Sequence, residues 1–225
     1  MPKLFVSSMR RLLLLAVCCW ALSACSSRID AMTQTAKAFF QGDADASATA
    51  ALNPSIRYLR VKVNDDRVIL LALGYIDADP LGPVEVWYSS KGEVLRLQNG
   101  HLVGLTGSDI EWRQVRLSTM PSWPADTASA SAYSRVRDVM PGYRFGIVDH
   151  LLMRSIDAPR RSNLVALAPQ NLRWFEEHEG NEALPAARFA LSKTHQTETV
   201  VYGEQCISPA LCLSWQHWPP AASTP

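Results

Sequence analysis

The sequence predicts a mainly β fold in which antiparallel sheets form a barrel-like or sandwich body. Three observations carry this. Leu59, Val61 and Val63 alternate with charged residues and Val84-Glu85-Val86-Trp87-Tyr88 alternates again, the two-residue period of a strand with one wet face. Val68-Ile69-Leu70-Leu71-Ala72-Leu73 is an uninterrupted apolar run of strand length, expected to be buried on both faces. Asn99-Gly100 lies between two apolar runs, and a two-residue type I′ turn needs the positive φ at both central positions that this dipeptide tolerates. With 48% hydrophobic and 19% charged residues, the composition suits a folded chain with a sizeable core.

The chain begins with Lys3, Arg10 and Arg11, then an apolar run from Leu12 to Leu22, then Ser23 and Ala24 before Cys25. This is the three-part pattern of a secretory signal peptide over residues 1–24. A transmembrane helix needs about 20 apolar residues, and this run is roughly half that. Leu22-Ser23-Ala24-Cys25 resembles the lipobox of bacterial lipoproteins. The resemblance implies cleavage before Cys25, a diacylglycerol on its thiol and an acylated amino terminus, palmitate among the chains. Ser26, where an Asp would favour inner-membrane retention, implies the outer membrane, with the body facing the periplasm. No other cofactor is expected.

The whole chain has 22 basic and 21 acidic residues, but three of the basic ones lie in the leader. The body that remains is slightly acidic, which excludes a basic nucleic-acid-binding surface as the default. Cys18 and Cys19 leave with the leader, so Cys206 and Cys212 remain in an oxidising compartment and are expected to form a disulfide. A metal pair lacks partners there, His217 being the only nearby ligand type.

After Cys25, the spacing of Ile29, Met32, Ala36 and Phe39-Phe40 predicts a short amphipathic helix, and the small polar residues 41–50 a connector. The β-rich domain is expected over 51–217. The Asn99-Gly100 turn pairs Gln98 with His101 and Leu97 with Leu102, and, continued outward, Arg96 with Val103, Leu95 with Gly104 and Val94 with Leu105. Glu111 to Leu117 reads as a strand, Pro121 to Ala132 as a long surface connection. Further strands are expected at Tyr143–Met153, Asn171–Glu177, Ala187–Leu191 and Glu198–Gly203, and a disordered tail over 218–225.

The chain carries no nucleophile elbow, phosphate loop, dinucleotide fingerprint or zinc-protease helix. Asp149-His150 lacks a nucleophile to form a relay and reads as ordinary strand residues. Glu176-Glu177-His178-Glu179 reads as a solvated face or turn. Glu85 with Asp77 or Glu93 has the composition of a glycosidase carboxylate pair. Trp87 and Tyr88 offer faces for sugar stacking, with core packing as the rival role. The candidates for glycan or partner contact are Glu85, Trp87, Tyr88, Arg96 and Trp112, with no catalytic or metal-binding residue assigned.

Leu52-Asn53-Pro54-Ser55-Ile56-Arg57-Tyr58-Leu59-Arg60-Val61, Leu73-Gly74-Tyr75, Gly82 to Ser89 and Gly92 to Gly100 together resemble the YjbF/GfcB family of lipoproteins, over about a third of the chain. The resemblance implies an outer-membrane lipoprotein made alongside capsule or exopolysaccharide export components, with a mainly antiparallel β fold and no established catalytic residues. The expected function is therefore a non-enzymatic accessory role in polysaccharide secretion, binding polymer or a protein of the export machinery. The alternatives are a periplasmic glycan-modifying enzyme using Glu85 with a second carboxylate, and a structural envelope scaffold.

Overall fold

The computed structural model describes residues 52–64, 66–180, 184–194 and 197–220. The leader, Cys25, the helix and connector expected before residue 51, and residues 221–225 of the expected tail lie outside them. Among the described residues, twelve strands form one closed antiparallel barrel. They are β1 (Tyr58–Val63), β2 (Arg67–Asp77), β3 (Val84–Tyr88), β4 (Val94–Gln98), β5 (His101–Thr106) and β6 (Glu111–Leu117). The second half comprises β7 (Ala130–Met140), β8 (Arg144–Ile156), β9 (Arg173–Glu179), β10 (Ala187–Thr194), β11 (Thr197–Ser208) and β12 (Leu211–Trp218). Each strand pairs with the next, and β12 returns to pair with β1, Tyr58 opposite Trp218.

The alternation in β1 points Leu59 and Val61 into the barrel, where they are buried opposite Leu71 and Ile69 of β2 and His217 and Trp215 of β12. β2 is fully buried only at Leu71 and Ala72; Val68 and Leu70 are half-buried, because a closed barrel leaves each strand an outward face. Trp87, Trp112, Phe175, Phe189, Leu95 and Met153 fill the interior. A smaller cluster of Trp174, Ala190 and Tyr202 lies on the other side of the sheet under Ile156, Leu164 and Leu172. There the β8–β9 connection is strapped down, the Gln216 amide exchanging hydrogen bonds of 2.9 and 2.8 Å with the Val165 backbone.

Asn99 and Gly100 adopt φ of 47° and 81°, and the first two expected pairs form. Beyond them Val103 is the extra residue of a bulge, so Arg96 faces Gly104, Leu95 faces Leu105 and Val94 faces Thr106. The one-residue shift brings Leu95 and Leu105 together in the core, which the unbroken register would not.

Three further expectations change. The Pro121–Ala132 stretch lies on the surface only in part: residues 125–130 are exposed, but Trp123 enters the barrel, stacked at 5.0 Å on the His101 ring and packed on Phe175 and Phe189. Glu176–Glu179 is part of β9, and the two-residue period buries Glu177 and Glu179 while Glu176 and His178 face out beside Arg154. The tail does not begin at Trp218, whose buried indole ends β12 beneath the Arg60 guanidinium.

Alternating strand direction gives the barrel two rims. One gathers the start of β1, the end of β12, the Asn99-Gly100 turn and the β2–β3, β6–β7, β8–β9 and β10–β11 connections. The opposite rim carries the β11–β12 turn, closed by the Cys206–Cys212 disulfide. The Asn64 side chain braces that turn, accepting from Cys212 N–H at 2.9 Å and donating to the Ala210 carbonyl.

Candidate ligand site at the barrel mouth

The rim where β1 begins and β12 ends assembles a polar cluster from positions far apart in the chain. Arg57, just before β1, bonds the Glu85 carboxylate of β3, and His217 Nε2 of β12 lies 3.7 Å from the other Glu85 oxygen. Trp87, two residues along β3 and so on the same face as Glu85, is covered by the Arg57 guanidinium at 5.6 Å and the His217 ring at 5.9 Å. Burial works against the charged form of Glu85, but His217 and Arg57 outweigh it and hold the carboxyl below its usual value.

Beside this cluster opens a cavity of about 280 Å³, lined among others by Glu85, Asn99, Glu198, Thr199, Trp215 and His217. Gly100 lets the turn press onto β11, since a Cβ there would stand 2.5 Å from Val200 Cγ1. Glu198 is fixed by Arg173 at 2.6 Å, and Arg173 also donates to the Pro124 carbonyl at 2.7 Å, tying β11 to the connection that carries Trp123.

Of the residues singled out by sequence, Glu85 lines this cavity and Trp87 lies fully buried behind it. Trp112 is also fully buried, its Nε1 donating to the Ile207 carbonyl at 3.2 Å. Tyr88 and Arg96 face outward, Tyr88 over Gly74 beside Tyr75, and Arg96 over Gly104 with its guanidinium 3.1 Å from Asp77. Asp77 and Glu93 are therefore engaged away from Glu85, by Arg96 and by Arg67 with Ser89. The carboxylate that shares its cavity is Glu198. Arg57, Asn99, Glu198, Trp215 and His217 were missed because only the closure of β12 on β1 brings them together. Asn99, as a turn residue, was the one available signal.

A second ionic assembly lies deeper. Arg135 and Arg137 of β7 grip Asp149 of β8 at 2.8 and 2.6 Å, Arg135 reaches Glu177 at 3.4 Å, and Tyr133 donates to Glu177. Both guanidinium groups lie against the Trp112 ring, at 4.6 and 5.0 Å. Burial opposes ionisation of Asp149 and Glu177, but the arginines, with His101 and Tyr133 at Glu177, hold both below their usual values. Burial and the neighbouring Asp149 push Glu179 up. His150 faces the opposite side of β8 and is exposed, so Asp149-His150 forms no relay. Among the described residues no group of three His, Cys, Asp or Glu is placed to hold a metal ion.

No family model matches the chain, and no curated protein matches it. Among solved structures, the chain is similar to the crystal structure of the hypothetical lipoprotein YmcC from Escherichia coli (K12), with a TM-score of 0.60 and 16% identity. The similarity covers 84% of this chain and 95% of that one, so the two share a fold over nearly the whole of YmcC.

Proposed function

We propose that this protein is an outer-membrane lipoprotein of the YjbF/GfcB type, a non-enzymatic accessory factor in capsule or exopolysaccharide secretion that engages polymer at the mouth of its barrel. The observation that carries the reading is the mouth cavity, where acceptors, an amide and aromatic rings converge on the rim at which the chain from Cys25 enters β1. The lipobox and the fold shared with a lipoprotein support the anchor. Arg57 and His217 hold Glu85 ionised, which suits a hydrogen-bond acceptor for polymer hydroxyls and argues against Glu85 as a general acid.

The test is a deletion strain complemented with the wild-type gene, Cys25→Ala or Glu85→Ala, with exported polysaccharide measured under inducing conditions. Deletion and both variants should reduce export; unchanged polymer in the deletion strain overturns the reading. A second reading, a glycan-modifying enzyme, is favoured by Glu198 lining the same cavity as Glu85. New reducing ends after incubation of exported polymer with the purified protein, absent with Glu85→Gln, would establish it.

A further inference from the structure

The chemistry of the mouth cavity narrows what it can hold. Its volume, about 280 Å³, lies at the small end of ligand pockets. One ring fits this space, with the rest of a polymer continuing outside. The lining supplies acceptors on Glu85 and Glu198 and an amide on Asn99, while among the described residues no lysine or arginine lines it. Arg57 and Arg173 hold the two carboxylates without themselves lining the cavity. A carboxylate offers about four acceptor sites, so each retains capacity for a hydroxyl donor after binding its arginine.

Trp215 and His217, two residues apart on the inward face of β12, add ring surface, and the buried Nε1 of Trp215 has no hydrogen-bond partner among the described residues. A uronic acid or phosphate would meet two carboxylates. An ammonium would compete with guanidinium groups already in place. We propose, resting on the reading of the barrel mouth as a polymer-binding site, that the cavity is a subsite for one uncharged sugar ring, its hydroxyls donating to Glu85 and Glu198 and its apolar face lying on Trp215 and His217.

Saturation-transfer NMR on the full lipidated chain in detergent tests this, using neutral glucose, galactose and N-acetylglucosamine trisaccharides against trigalacturonate and deacetylated chitotriose. At least one neutral trisaccharide should bind, with the anionic one at least about tenfold weaker. Glu85→Gln should weaken binding about tenfold, because hydrogen bonds to a charged acceptor are roughly twice as strong as neutral ones. Glu198→Trp, on the inward face of β11, should fill the cavity and abolish binding, while Phe145→Ser, at an exposed site beyond the opposite rim, should leave it unchanged, thermal melts confirming folding throughout.

Comparable binding of trigalacturonate, tighter binding of deacetylated chitotriose than of any neutral sugar, binding that survives Glu198→Trp, or no neutral sugar binding at all overturns the assignment. Export measurements separate the two proposals. If no sugar binds while export still depends on Glu85, the subsite falls and the secretory role stands; if neutral sugar binds while deletion leaves export unchanged, the role falls and the subsite stands.

Discussion

The mouth and the middle of the barrel use the same three ingredients, arginine, carboxylate and tryptophan, at different depths. At the mouth, the Arg57 and Glu85 side chains are 53% and 25% exposed. In the middle, those of Arg135 and Asp149 are 5% and 1% exposed. Water screens the first pair, so its net contribution to stability is about 0–1 kcal/mol and its groups remain free to exchange partners with a ligand. The second has no water to fall back on, and removing one member strands the others in a low-dielectric interior. Depth leaves one assembly open to a ligand and makes the other a structural commitment.

Asp149→Ala is the largest perturbation of that contrast. It leaves Arg135 and Arg137 without their shared carboxylate, and denaturant unfolding should show a loss of about 3–5 kcal/mol. Glu85→Gln at the mouth should cost less than about 1 kcal/mol by the same measurement. Equal losses would erase the distinction. The double variant Cys206→Ser, Cys212→Ser opens a loop of only a few residues, for which chain entropy gives about 2 kcal/mol. That loss should leave the mouth's ligand affinity unchanged, since the bridge closes a turn at the other rim.

Gly100→Ala should cost about 1–2 kcal/mol from its positive φ alone, and more as Val200 is displaced. It should also reduce mouth binding, which sets it apart from the disulfide variant. The smallest effect is a pH slope. Glu179 has a raised folded-state pKa, so ionising it costs the fold, and stability should decline as pH rises above its ordinary 4.5 and through its folded value. Asp149, Glu177 and Glu85 are lowered. Their contributions are present above their ordinary values and are lost as pH falls through the folded ones. Glu179→Gln should therefore flatten the alkaline side of a stability profile and leave the acid-side fall in place.

Much of the barrel was legible wherever one face of a strand was apolar and the other charged. β1, β3 and the Asn99-Gly100 hairpin follow from period and turn chemistry alone. The bulge at Val103 did not, because Arg96-Leu97 against Leu102-Val103-Gly104 gives no local reason to skip a residue; the reason is the fit of Leu95 to Leu105 in the completed core. The strand expected at Asn171–Glu177 forms as β9, but which of its faces turns inward was hidden for a related cause. Arg173-Trp174-Phe175-Glu176-Glu177-His178-Glu179 puts an aromatic and an acid on each face, so its period identifies a strand without saying which side is inside. The answer lies with Arg135 and Tyr133, two strands away around the ring. At the mouth, Glu85 could be singled out because its neighbours are informative, whereas Glu198 and His217 enter only through ring closure.

That closure also governs when the fold can be completed. The Tyr58–Trp218 seam joins the first described strand to the last, the longest loop to be closed and the contact with the greatest entropic cost to form early. As the chain is made, amino terminus first, β1 presents an open edge until β12 arrives. Such an edge can recruit another chain's strand, so the interval before β12 is available is the period of greatest risk. Among the described residues, the finished ring leaves no edge to recruit.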